Sequence, residues 1–423
     1  MRNLLLKVHK ELSEKDFKKI WTEAFFIFDS NVLLDLYRLP DSAKNDLISV
    51  LENEDFNKRI WIGFQVLTEF LSNRLNIIGE QKNMFNKVAS ITEKHIQKIT
   101  ELNNEYNTEI IKLNLNQRHS TISPDEFINT KKLKKTTRIF KNFVLHLNEK
   151  EKLHNDVNDR DEIKDIIINI FENKIGNPFS ESEIAKIIKE GNERYSDKVP
   201  PGYMDFKKEG NHIVKDLKLP KKFGDIFLWK EIIKYINENK LQQVVLVTGD
   251  VKEDWWEEKR GRKIGPRREL LNEIYTNCED LDIFHMYNTS TFLKYAKKEI
   301  NSEIKDSSIE DTRKLIDLNK RQEIQKTIEI SEIYEKINFI NRNINKSEKD
   351  IVEYEQELHS IEIYRNTHYT DGNISDDIKE SLHNLTFKED ELLNKIEISK
   401  NRISSLRHYR ESYFTRLSFL QNS

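Results

Sequence analysis

Cysteine is nearly absent from this chain of 423 residues: Cys278 stands alone. One thiol excludes an intramolecular disulfide and a cysteine-based zinc site, and it fits a reducing, cytoplasmic setting. Chain breakers are scarce, with 11 glycines and 7 prolines, which argues for long helices rather than a loop-rich or all-β protein. Apolar runs are short. None approaches the roughly 18 residues of a membrane span, and Lys7 interrupts the opening apolar run too early for a signal peptide. Net charge is almost balanced, formally −3, so no global positive field marks a nucleic-acid binder. The expectation is a soluble intracellular chain of about two or three domains with no membrane partner.

What the sequence does hold is a buried apolar run, Phe25-Phe26-Ile27-Phe28, that ends in Asp29-Ser30-Asn31. Such a run reads as a strand covered on both faces. A charged residue at its carboxyl end sits where open α/β sheets bind ligands. A second run, Gln243-Val244-Val245-Leu246-Val247-Thr248, ends in Gly249-Asp250. Arg59–Gly63 and Leu281–Met286 are further short strands. Helices are expected over 13–24, after Asn31, from a cap at Ser42 to Leu51, from Gln65 onward, and from Gly224 to Asn239. Strands alternating with helices give an α/β fold with a mostly parallel central sheet.

Between about 80 and 195 the composition turns to Lys, Asn and Glu with apolar residues at helical spacing. Ile91, His95, Ile96, Ile99 and Leu102 form one block, Phe127 to Leu153 another, and Ser180–Glu183 is a capping box that opens a short helix. This reads as a long helical insertion with a solvated face, or as a substrate clamp. The densest turn signal, Pro200-Pro201-Gly202-Tyr203-Met204-Asp205, closes it. From about 305 the chain becomes heptad-like, from Ile330 through Ile361 and again from Ile378 to Leu420. Thr370–Asn373 breaks the pattern, which predicts an antiparallel helical hairpin. The expected organisation is 1–80 and 196–300 as two parts of one domain, 81–195 as the insertion and 305–423 as the coiled-coil hairpin.

Four acids stand out: Asp29 and Asp250 after strands, Glu69 inside a helix, and Asp225 at a helix start. Each alone has an ordinary explanation, as a cap, a turn residue or a solvated helix residue. Together, on neighbouring strands, they would repel unless a cation neutralised them. An oxygen-only set with no cysteine and no histidine cluster suits Mg²⁺ or Mn²⁺, and such ions serve phosphodiester cleavage. Just beyond Asp250 lies a basic stretch, Lys252, Lys259, Arg260, Arg262, Lys263, Arg267 and Arg268, which suits a phosphate backbone. Trp255 and Trp256 within it are expected in the core.

The ordered set Phe28-Asp29-Ser30-Asn31-Val32-Leu33-Leu34, Thr68-Glu69-Phe70, Gly224-Asp225 and Val247-Thr248-Gly249-Asp250 resembles the acidic motifs of PIN-domain nucleases. Pro201–Asp205, Gly224–Lys230, Asp250–Trp256 and Gly265–Leu270 resemble a bacterial PIN-like branch. The resemblance covers about 20–80 and 196–295. It implies that Asp29, Glu69, Asp225 and Asp250 are the catalytic, metal-binding acids. Asp254 is a further ligand candidate, and Asn31 orients Asp29 or a water. Lys252, Arg267 and Arg268 are the candidate phosphate contacts. It implies metal-dependent cleavage of RNA, or of DNA in some branches, and its bacterial context suggests phage defence or toxin-like growth arrest. The competing expectation is a non-cleaving scaffold or nucleic-acid-binding protein that acts through 305–423, as a homo-oligomer or with a protein partner.

Overall fold

The computed structural model describes residues 1–114, 130–260, 262–301, 303–368 and 376–422. The beginning of the block expected from Phe127 and the turn expected at Thr370–Asn373 lie outside the described residues, as do the side chains of Ile378 and Leu382. The chain forms two compact units, Met1–Phe206 with Gly210–Asp317, and Lys207–Glu209 with Leu318–Ser423.

The first unit opens with helices α1 (Arg2–Val8) and α2 (Glu14–Glu23), then strand β1 (Phe25–Phe28). Helices α3 (Ser30–Asp35), α4 (Asp41–Glu52) and α5 (Glu54–Asn57) lead to β2 (Ile60–Trp61). Pro40, not Ser42, occupies the cap position of α4, and Ser42 lies within its first turn. Proline's fixed φ and missing N–H suit it to a helix start. Helix α6 (Phe64–Lys112) follows, then α7 (Thr130–Leu153), α8 (Glu162–Ile170) and α9 (Glu181–Ser196). Two antiparallel hairpins, β3 (Asn211–Val214) with β4 (Leu217–Pro220) and β6 (Trp256–Lys259) with β7 (Arg262–Pro266), flank α10 (Gly224–Asn239) and β5 (Gln243–Val247). Helix α11 (Arg268–Asn277), strand β8 (Ile283–Tyr287) and helix α12 (Thr289–Glu299) complete the α/β part.

The central sheet has four parallel strands in the order β2-β1-β5-β8. Phe26, Ile27 and Phe28 are wholly buried, as are Val244 to Val247 beside them. Each large apolar side chain so buried contributes about 1.5–3 kcal/mol, which fixes the register Phe28 opposite Val247. Trp255 and Trp256 lie in this core, as expected.

The stretch expected as an insertion divides into two. Helix α6 is continuous through residue 80 and pairs with α7 as an outward hairpin. From α8 onward the chain returns to the core. Ile167, Ile170 and Phe171 join the main apolar cluster, and Ile175 bridges to Ile62 beside β2. The run Ile166-Ile167-Ile168-Asn169-Ile170-Phe171 carried that signal in sequence.

The second unit is an antiparallel helical hairpin of α13 (Asp306–His368), which starts in the first unit, and α14 (Asp376–Asn422). Ile333 and Ile337 pack on Leu417 and Leu420, and Ile340 and Ile344 pack on Ile403. Arg365–Glu389 at 2.7 Å and Arg416–Glu329 at 2.8 Å flank the seam.

Candidate active site

β1 and β5 are hydrogen-bonded neighbours, so Asp29 and Asp250 leave adjacent parallel strands at the same end of the sheet. Asp29 N donates to Val247 O at 2.9 Å. Asp29 holds the cap position of α3, yet its carboxylate caps nothing. It accepts instead from Thr248 Oγ1 at 2.6 Å and from Asn31 Nδ2 at 3.2 Å. Thr248 Oγ1 in turn accepts from Asp250 N at 2.9 Å. One threonine hydroxyl thus links the two strand ends. Ser30 Oγ donates to Glu69 Oε2 at 2.7 Å and lies 3.3 Å from Asp29 Oδ1. Burial pushes the Asp29 carboxyl up to about 6, and the charges of Glu69 and Asp250 add to that rise against the Thr248 hydrogen bond.

Glu69 stands in the second turn of α6. Gln65 Nε2 donates to its Oε1 at 2.8 Å. The α6 start has no side-chain cap of its own at Gly63. Glu231, from the middle of α10, supplies one: Gln65 N donates to its two oxygens at 3.1 and 3.2 Å. A Cβ on Gly63 would lie 2.0 Å from Glu231 Oε2, so glycine is required for this approach. Asp225 lies in the first turn of α10, half-buried, and its buried Oδ2 has no hydrogen-bond partner. Burial raises its pKa well above the usual value, with Asp205, Asp250 and Asp254 adding to the rise and Lys252 opposing it. A Cβ on Gly224 would meet Glu69 Oε1 at 2.4 Å, so Glu69 rests against the start of the helix that bears Asp225.

The remaining acids converge on a cation of the chain itself. Lys252 Nζ lies 2.8 Å from Asp205 Oδ1 and 3.3 Å from Asp250 Oδ2. Burial alone would discharge this ammonium. Asp250, Asp205, Asp225 and Asp254 outweigh it and hold the pKa well above the lysine value. Lys252, expected at a phosphate, is therefore sequestered among carboxylates. Asp254 accepts from Gly202 N at 2.9 Å and Met204 N at 3.4 Å through Oδ2, which pins the turn that presents Asp205. Gly202 has φ +89, and a Cβ there would strike Tyr195 Oη and Asp225 Cβ. Asp205 had no assigned role in the sequence reading, although the turn motif that carries it was conspicuous.

Arg267 and Arg268, also expected at phosphate, have protein partners. Arg267 pairs with Glu269 at 2.7 Å and donates to Tyr203 Oη at 3.2 Å. Arg268 donates to the Val8 carbonyl of α1. The side chain of Arg262 lies outside the described residues.

Residues 25–270 match the family model described as PIN like domain, which spans every acid named above. The chain belongs to the PIN-like domain family. No curated protein and no solved structure matches it. The PIN-like region begins at β1, contains the α6/α7 hairpin, and ends in α11. Membership places the chain in a nuclease superfamily and makes nucleic acid the substrate class. No helix among the described residues is long and apolar enough to cross a membrane.

Asp29, Glu69, Asp225 and Asp250 offer carboxylate oxygens only, with one buried Asp225 oxygen lacking any partner. Hard divalent ions take such ligands. Among the described residues, no group of three or more His, Cys, Asp or Glu side chains stands ready to hold an ion. The Lys252 ammonium sits between two of the acids.

Proposed function

We propose that this PIN-like chain is a metal-dependent endonuclease, with RNA the favoured substrate and DNA the alternative. The observation that carries the reading is the emergence of Asp29 and Asp250 from adjacent parallel strands, joined through Thr248, with Glu69 bridged to Asp29 by Ser30. Asp29, Glu69, Asp225 and Asp250 are the residues proposed to hold Mg²⁺ or Mn²⁺. A bound ion of this kind stabilises charge developing on the phosphoryl group and lowers the pKa of a water.

The chain's own residues prepare the site. Thr248 and Asn31 orient Asp29 through hydrogen bonds to its carboxylate, which favour the charged form. Gln65 and Ser30 fix the two oxygens of Glu69. Lys252 offsets part of the negative charge. It thereby lowers the cost of gathering carboxylates in a buried place, where unpaired charges are costly. Asp254 holds the Gly202 turn through Oδ2, and its buried, unpartnered Oδ1 keeps it a further candidate donor. The α13/α14 hairpin is proposed as the partner-binding or self-association element, because it exposes Phe339, Leu393, Tyr409 and Phe419.

The test is incubation of the purified protein with total RNA, single-stranded DNA and duplex DNA in Mg²⁺ or Mn²⁺, with EDTA as control. RNA fragments that accumulate only with metal support the reading. No metal-dependent cleavage of any of the three would overturn it in favour of a binding or scaffold role.

A further inference from the structure

The α7 helix carries a charge pattern that the acid site does not account for. From Thr130 to Leu147 the sequence holds Lys131, Lys132, Lys134, Lys135, Arg138 and Lys141 and not one acid, in a chain whose net charge is −3. Lys131, Lys134, Lys135, Arg138 and Lys141 recur at helical spacing and fall within about a third of the helix circumference. All five are exposed, while Thr137 and Val144 are buried on an adjoining face and set the rotation of the helix. None of the five pairs with a carboxylate among the described residues. Glu101, Glu105 and Glu109, on the distal part of α6, are exposed themselves and pair with none of them. Like charges three and four residues apart weaken a helix. A row of them without carboxylate partners among the described residues therefore opposes folding of this hairpin and is relieved by an anionic partner.

We propose that this stripe binds the phosphate backbone of a double-helical nucleic acid. Its five cations lie along some 15 Å of helix, given a rise of about 1.5 Å per residue. A duplex presents closely spaced phosphates to a straight row of this kind and holds them in line over distances far longer than the stripe. The place of the stripe adds a second argument. Lys82 pairs with Asp156 at 2.5 Å and Phe85 packs on His154 at 5.5 Å, so α7 runs back along α6. Lys131 to Lys141 then lie alongside the last turns of α6, about 45–60 Å along the helix from Glu69. A rigid duplex of about 15 base pairs covers that distance at ~3.4 Å per base pair. The inference thus deepens the nuclease reading: it names the substrate as structured and places its hold far from the acids.

Binding is measured by fluorescence anisotropy on the full chain in EDTA, so that it does not depend on cleavage. The probes are 30-base-pair RNA and DNA duplexes across a salt series. The variant replaces Lys134, Lys135, Arg138 and Lys141 with Gln. A control replaces the exposed Lys15, Lys18, Lys240 and Lys294 with Gln. The expected result is binding weakened at least tenfold in the stripe variant, with the slope of log K against log salt reduced by about 2–4. The control retains tight binding, and circular dichroism shows both proteins folded. The arm with the larger loss tells RNA from DNA. Equal affinity and slope in wild type and stripe variant overturns the proposal, as does an equal loss in the control. A loss confined to vesicles of phosphatidylcholine with phosphatidylserine assigns the stripe to an anionic membrane surface instead. Failure of the nuclease reading registers separately, as absent cleavage with metal.

Discussion

Lys252 is the residue on which the electrostatics of the site turn. It is the cation that meets Asp205 and Asp250, and it bears on Asp225 and Asp254 as well. Removing one partner from a buried charged set costs more than the pair contributes, because the rest is left uncompensated. Lys252→Gln is therefore expected to lower the melting temperature in EDTA. It is also expected to enlarge the stabilisation that Mg²⁺ or Mn²⁺ gives, read by thermal shift with and without metal. An unchanged melting temperature in EDTA would remove Lys252 from its assigned role. Glu231 gives a second residue-scale prediction. Burial pushes its carboxyl from 4.5 up to about 8, with the charge of Glu69 adding to the rise. The folded state keeps a proton there that the unfolded chain has released. Stability of the metal-free protein thus falls as pH rises from about 4.5 to about 8, and changes no further from this group above that. Glu231→Gln keeps an acceptor for Gln65 N and loses the slope. Asp29 and Asp254 are pushed up to about 6 and Asp225 is raised as well, all acting in the same direction, so the diagnostic quantity is the difference between wild type and variant over pH 6.5–8. Denaturant melts across that range are expected to show a decline in wild type and a flatter profile in the variant.

Elements bring these residues together, and their legibility differed for physical reasons. Asp29 and Asp250 were readable at strand ends because two continuous apolar runs bury themselves as central strands; the adjacency of those strands is seen in their hydrogen bonding. Glu69 and Asp225 were readable as helix residues, but the contact between their helices was not. It depends on Gly63 and Gly224 admitting Glu231 and Glu69 to the backbone, and glycines of that kind carry no periodic signal. The β3/β4 hairpin escaped because its turn uses Lys215 at φ 53, where glycine or asparagine would have announced it. The depth of Lys252 was hidden as well, since a lysine in a charged stretch reads as solvated. At this scale Glu273 on α11 is the tie between elements: it receives Arg194 of α9 at 2.7 Å, Trp229 Nε1 at 3.0 Å and Lys230 at 3.1 Å, the last two on α10. Arg194 also donates to Pro200 O, at the turn that leads to Asp205. Glu273→Ala leaves Arg194 with only Glu190, at 3.1 Å, as its carboxylate partner, and leaves Trp229 Nε1 without its acceptor. It is expected to destabilise the protein by about 1–3 kcal/mol in urea or thermal melts, whereas loss of the exposed Lys58–Asp55 pair should cost under ~1 kcal/mol.

At the scale of the whole molecule, a PIN-like sheet holds the acids at one end of its strands, α6 runs outward from Glu69, and the chain closes with a long helical hairpin as a separate unit. The acid-bearing strands and the long C-terminal helices were legible in the sequence. The return of the segment from α8 onward to the core was not, because Lys- and Asn-rich flanks masked a short apolar helix. The chemistry of the acids decides between a nuclease and a scaffold. The most direct measurement is single-turnover cleavage of a labelled structured RNA in Mn²⁺ by wild type, Asp29→Asn and Asp250→Asn, with folding checked by circular dichroism. The account predicts metal-dependent cleavage by wild type and a loss of at least about a hundredfold in each variant, of the order seen when groups that stabilise transition-state charge are removed. Cleavage by both variants at the wild-type rate would contradict it.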